Sequence, residues 1–352
     1  MNDTPRISLS GVPGSPYTRK MLAVLRYRRI PYNLILASHD ILASRRGPAL
    51  PRPKVSLLPT FYLPDEDGEL RAVTDSTPIL RRLEEEYAER PVRPAEPALA
   101  FLDALVEDYG DEWLTKAMFH YRWAYAADAR HASRILPAWT RGRGSDADLA
   151  ATGEDIRNRQ VARLRYVGSN ETTRPVIEAS YLRFLDLMEG HLRQHPFLLG
   201  KRPGAGDFGV FGQLTQLAHF DPTPFALTAE RAPRVHAWVG AVEDLSGLEP
   251  VKDDWFAAGD LPPTTRALFA EIGRVYAPLL LANARAVRAG EAQVATEIDG
   301  RPWVQQTFAY HAKCLAWLRE EYEALAPAPR RLVDTTLAGT GCERLFAPAD
   351  DI

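Results

Sequence analysis

The 352-residue chain carries 43 basic and 46 acidic side chains, a formal net charge of -3, with 45% hydrophobic and 25% charged residues. Such values exclude a disordered or fibrous chain, and charges of both signs spread along the sequence argue against a nucleic-acid or anionic-membrane partner. No apolar run approaches the roughly 20 residues needed to cross a bilayer, and the Met1–Arg6 start lacks an apolar signal core, so no membrane contact and a cytoplasmic location are expected.

In chain order, Ile7–Ser10 has the pattern of a short buried strand. Gly11-Val12-Pro13-Gly14 breaks it, and Ser15-Pro16 opens a helix to about Arg29, Ser being a favoured N-cap and Pro a favoured first helical residue. Tyr32–Leu36 is a second strand, and the Pro-, Arg- and Gly-rich stretch from Asp40 to Lys54 an irregular crossover. Thr60–Leu63 and Leu70–Val73 flank a polar turn and form a hairpin, after which Asp75 or Ser76 caps a helix bearing Ile79, Leu80, Leu83 and Tyr87. This order predicts an α/β domain with a mixed sheet over residues 1–90.

Pro91, Pro94 and Pro97 form a linker, and the remainder reads as helix and loop without a convincing strand pattern. An all-α domain is expected over 98–246, with an additional helical extension over 247–352 packed on it. In a helix from about Leu99 to Ala126, Leu102, Leu105, Val106, Tyr109, Trp113 and Trp123 fall on one side, Asp103, Glu107 and Asp111 opposite, and Lys116 and His120 inside the apolar stripe. Further helices are predicted at Asp155–Arg165, Thr172–Gln194, Asp207–Ala218, Pro233–Leu245, Thr264–Ala289 and Val304–Ala326, with Leu136–Leu149 an exposed loop. Cys314 falls on an apolar stripe and is expected to be buried, Cys342 to be exposed or disordered. Their positions match neither a disulfide framework nor zinc-ligand spacing, and no metal site is expected.

Three motifs carry a resemblance. Gly14-Ser15-Pro16-Tyr17-Thr18 is similar to the Cys-Pro-Tyr-Cys start of a glutaredoxin helix with both cysteines replaced; Leu57-Leu58-Pro59-Thr60-Phe61 resembles a "Val-Pro-x-Leu" signature; Thr74-Asp75-Ser76-Thr77-Pro78 resembles an acidic-Ser signature before the third helix. In this order and at this spacing they resemble the glutathione S-transferase superfamily: a thioredoxin-like α/β domain followed by an all-α domain. Pro203-Gly204-Ala205-Gly206-Asp207 is similar to the family's capping box, with Gly204 where Ser or Thr is usual. Nothing from about Gly247 onward matches the family pattern.

The resemblance implies glutathione as co-substrate. It assigns Ser15 as the catalytic donor to the glutathione sulfur, against a background reading of Ser15 as an N-cap alone, with Tyr17 and Thr18 as back-up donors. It implies a cis Pro59 that turns the Leu58 peptide toward the cysteinyl part, and Asp75 and Ser76 at the γ-glutamyl amine and carboxylate. The glycyl carboxylate needs a cation, offered among His39, Arg45, Arg46, Arg52 and Lys54, because the usual Lys position holds Leu57. Tyr109, Trp113, Lys116, His120 and Trp123 are the candidate pocket for a small apolar electrophile, core packing being the alternative for each. A transferase of alkyl or aryl groups is implied, with a non-catalytic binding or scaffold protein as the rival. The resemblance also implies a homodimer, a contact the extension could preserve, remodel or block.

Overall fold

A computed structural model describes residues 6–36, 50–141, 144–251 and 254–347. β1 (Ile7–Gly11) runs parallel to β2 (Tyr32–Leu36) and antiparallel to β3 (Thr60–Pro64), which pairs antiparallel with β4 (Leu70–Val73) in the order β2-β1-β3-β4. The register sets Leu9 opposite both Leu34 and Phe61, so one face of the sheet becomes a continuous apolar surface. Against it lie α1 (Pro16–Tyr27), through Met21, Leu22, Val24 and Leu25, and α2 (Ser76–Glu86), through Ile79, Leu80 and Leu83.

The predicted long helix is α3 (Pro97–Tyr109) and α4 (Thr115–Ala124) joined by a π-turn at Gly110–Leu114. α5 (Ala126–Arg141) and α6 (Asp146–Val161) follow. The exposed loop expected over Leu136–Leu149 is therefore mostly helix, because Ser145 and Asp148 make a reciprocal capping box that starts α6 close behind α5. A short turn α7 (Leu164–Val167) leads to α8 (Arg174–His191), α9 (Ala205–Leu217), α10 (Pro222–Arg231) and α11 (Pro233–Val242). Every residue of α9 is buried, as a helix ringed by α1, α3, α4 and the π-turn must be.

The extension holds α12 (Pro263–Ala289), α13 (Ala309–Ala324), α14 (Pro327–Leu337) and a final 3₁₀ turn at Cys342–Phe346. It is not purely helical: β5 (Gln293–Ile298) and β6 (Arg301–Gln306) form an antiparallel hairpin. Its turn residues Asp299 and Gly300 both have positive φ, 53° and 69°, the combination a two-residue hairpin with native twist requires. The helix expected from Val304 accordingly starts at Ala309. Cys342, expected outside the fold, is fully buried with its thiol 3.1 Å from the Phe269 carbonyl, and burial raises its pKa to about 12.

Candidate functional site

Ser15 sits half-buried at the start of α1 in an extended conformation. Its Oγ accepts from the Thr18 N–H at 3.2 Å, capping the helix, and donates to the Leu58 carbonyl at 3.2 Å across 43 residues. The peptide between Leu58 and Pro59 is cis. The free N–H end of α1 thus faces the peptide ahead of Pro59, a position where a helix end favours an anion.

The second region holds this turn in place. Arg122 on α4, itself buried, spans the two oxygens of Asp221 at 2.9 and 3.0 Å and donates to Gln216 Oε1 at 2.7 Å and to the Gly14 carbonyl at 3.0 Å. Gln216 donates in turn to the Pro13 carbonyl at 3.1 Å. A Cβ added at Gly14 would meet Leu136 at 2.3 Å and Trp139 at 3.1 Å, so α5 lies directly over the residue before Ser15. Leu136 and Trp139, neither of them singled out from sequence, are the half-buried apolar groups nearest this turn.

The Asp75–Ser76 corner is built differently. Asp75 has φ 84°, a strained value for a residue with a Cβ, and its side chain makes no capping bond. Its Oδ2 instead accepts from Tyr310 Oη at 2.8 Å. Ser76 Oγ accepts from Lys20 Nζ at 3.2 Å, and Lys20 completes its three donors on Glu107 (2.6 Å) and Asp111 (2.5 Å). Burial alone would drive Lys20 toward neutrality, but the two carboxylates more than offset it and hold the ammonium above its ordinary pKa. The face of α3 and the π-turn that carries Asp103, Glu107 and Asp111 is therefore an inner polar seam rather than a solvated one.

At the start of α9, Asp207 accepts from the N–H groups of Leu198 (2.9 Å) and Gly204 (3.0 Å), which is the half of the capping box the sequence allows. Asp103 supplies the missing half from α3, accepting from Ala205 N–H at 2.9 Å and Gly206 N–H at 3.0 Å. A Cβ at Gly204 would lie 2.3 Å from the Asp103 carboxylate, so the departure from Ser or Thr is tied to this borrowed cap.

Tyr17 spends its hydroxyl on the Asp111 carbonyl at 2.8 Å, inside the helical region. Lys54 and Arg52 are exposed, while His39, Arg45 and Arg46 lie outside the described residues. The five aromatic and polar residues of the expected pocket are all buried, none more than 3% exposed, and each packs on partners outside the set. Trp113 packs on Trp303 of the hairpin, ring centroids 5.5 Å apart, and donates to Ser180. Lys116 donates to the Val167 carbonyl at 3.1 Å and lies 3.4 Å from Gln305 Oε1; burial lowers its pKa to about 7 against the pull of Glu112. His120 lies 2.7 Å from Ser169 Oγ and 3.1 Å from Glu178 Oε1, with burial holding its pKa down. Tyr109 packs on Phe184 and Tyr276, and Trp123 on Phe119. The extension thus covers this face at Tyr109, Trp113 and Lys116, while His120 and Trp123 are closed off by residues before it. Cys314 is buried in α13, and burial followed by the nearby Asp108 carboxylate raises its thiol far from reactivity. No group of three or more His, Cys, Asp or Glu side chains suited to a metal occurs among the described residues, and no described helix is long and apolar enough to cross a membrane.

Comparison with known proteins bears on the same segments. Residues 9–91 match the glutathione S-transferase N-terminal domain and residues 124–241 the glutathione S-transferase C-terminal domain. Solved structures that resemble the chain include a glutathione S-transferase from Methylobacterium radiotolerans in complex with glutathione sulfonate, at 18% identity and a TM-score of 0.38, covering 68% of this chain and 91% of that one. A glutathione transferase family member from Pseudomonas fluorescens, with two glutathione bound, has 14% identity and a TM-score of 0.42 over 68% and 89% of the two chains. A β-etherase from Sphingobium sp. has 17% identity and a TM-score of 0.46 over 70% and 97%. No curated protein matches the chain. With both domain types present in the family's order, around a cis Pro59 that faces the start of the first helix, the chain belongs to the glutathione S-transferase superfamily.

Proposed function

We propose that the protein is a glutathione-dependent transferase in which Ser15 stabilises the glutathione thiolate for attack on an apolar electrophile. The observation that carries this reading is the 3.2 Å approach of Ser15 Oγ to the Leu58 carbonyl. It supports a half-site in which the cysteinyl N–H takes over the Leu58 carbonyl, and the released Ser15 hydroxyl turns to the sulfur. The Thr18 N–H and the helix end add to the stabilisation of an anion there. The thiol proton leaves to solvent, the sulfur bonds the electrophilic carbon, and the leaving group departs with its electron pair. Asp75 and Ser76 take the γ-glutamyl amine and carboxylate; with Lys20 donating to its oxygen, the Ser76 hydroxyl is left as a donor toward a carboxylate.

Burial of Tyr109, Trp113, Lys116, His120 and Trp123 favours a different wall for the electrophile, formed by Leu136 and Trp139 over Gly14. The same burial gives some weight to the rival, a binding or scaffold protein whose extension has closed the usual cleft. Two assays separate them. Retention on immobilised glutathione together with conjugation of an activated aryl halide supports the transferase; retention without turnover supports the rival, and no retention removes the glutathione site altogether.

A further inference from the structure

The part of the chain that lies beyond both matched domains reaches back to the γ-glutamyl corner. Tyr310, the second residue of α13, donates to Asp75 Oδ2 across 235 residues. The contact is prepared from three sides. Asn283 of α12, fully buried, grips the backbone of Phe308 with both amide atoms, donating to its carbonyl at 2.8 Å and accepting from its N–H at 2.9 Å. His311 Nε2 lies 3.1 Å from Glu112 Oε2, fixing the next residue against the π-turn. Trp317 meets the Tyr310 ring edge to face at 6.4 Å.

Asp75 is in turn an odd residue to spend on structure. It stands at a helix start, where its carboxylate would ordinarily cap, yet it caps nothing and is held at φ 84°. A carboxylate accepts about four hydrogen bonds; Tyr310 takes one, on Oδ2, and ties that oxygen to α13. The hydroxyl can only donate there, since burial and the carboxylates of Glu112 and Asp75 keep it protonated. Aromatic and amide groups immobilised before a ligand arrives lower the ordering cost of binding it.

We infer that Tyr310 is a positioning residue contributed by the C-terminal extension, orienting the Asp75 carboxylate to receive the γ-glutamyl amine of glutathione. The inference rests on the glutathione reading above and deepens it: one purpose of the extension is to complete the first domain's binding corner.

Calorimetric titration of the full chain tests it, with glutathione and with cysteinylglycine, which lacks the γ-glutamyl group. Tyr310→Phe keeps the ring and its packing and removes only the hydroxyl. The variant is expected to bind glutathione about tenfold more weakly, the lower end for a hydrogen bond to a charged group, to bind cysteinylglycine unchanged, and to raise KM for glutathione without changing kcat. In an Asp75→Asn background the same substitution should add nothing. Glutathione binding by Tyr310→Phe that equals or exceeds the wild type overturns the inference, the second result marking Tyr310 as a block. Equal losses for both peptides overturn it as well, by making the role merely structural. A wild-type chain that binds no glutathione overturns the transferase reading and this inference together, whereas wild-type binding with an unaffected variant overturns the inference alone.

Discussion

At the start of α1, Ser15 caps its own helix three residues on; at the start of α2, Asp75 caps nothing and is held by a tyrosine from the far end of the chain, while Ser76 beside it is served by Lys20. The first arrangement is local and leaves a helix end that any small anion could approach. The second borrows its partners from α1, α3 and α13, so its geometry exists only in the finished fold. The start of α9 belongs with the second kind, because Asp103 stands in for the side chain Gly204 lacks.

The largest effect should come from cutting a remote supply. Lys20→Met leaves Glu107 and Asp111 buried without their cation, and should cost about 3–5 kcal/mol in urea unfolding. A loss below about 1 kcal/mol would mean that water reaches these carboxylates and that the seam is not sealed. Cutting the local supply should act mainly on chemistry. Ser15→Ala should lower kcat/KM for conjugation by about 10- to 100-fold, the worth of one hydrogen bond to a charged sulfur, and stability by only about 1 kcal/mol through the lost cap. Unchanged turnover would remove Ser15 from the mechanism.

A remote cap can also be turned into a local one. Asp103→Ala should destabilise by about 1–2 kcal/mol, and adding Gly204→Ser should then recover part of the loss. Gly204→Ser alone should destabilise, because its Cβ would collide with the Asp103 carboxylate. Stabilisation by the single change would show that α3 yields at this point. The last effect is a slope with pH. Burial raises Asp108 to about 8 while Tyr276 donates to it at 2.6 Å, whereas the unfolded carboxyl titrates near 4, about its ordinary value. The folded state therefore holds a proton that the unfolded state has lost, a contribution complete below the unfolded value and lost as pH rises through about 8. The fall in unfolding midpoint between these limits should be shallower in Asp108→Asn than in the wild type, and an identical slope would show that Asp108 ionises freely in the fold.

The first domain was legible because its signals are local: Ser15-Pro16 opens a helix, a polar turn closes a hairpin, and the strand ends fall within a residue or so of expectation. The hairpin of the extension was legible in principle, through Asp299-Gly300 between alternating residues, but the apolar spacing from Val304 onward suited a helix equally well and hid the strand. What could not be read was the direction of the long helix's faces. Asp103, Glu107 and Asp111 have the spacing of a solvated stripe, and only the packing of α1 and α9 against them turns that stripe inward. The stripe opposite was assigned to a pocket for the same reason in reverse, since nothing local announces that Trp303 and Gln305 lie on it.

The grip of Arg122 and Gln216 on the carbonyls of Pro13 and Gly14 carries a mechanical consequence. A rigid-body opening between the sheet domain and the bundle would have to tear charged, water-excluded contacts one residue away from the Ser15 hydroxyl. Under the transferase reading proposed above, a change of electrophile would therefore come from replacing side chains that overhang this seam, because swinging one half of the molecule against the other would displace Ser15 at the same stroke.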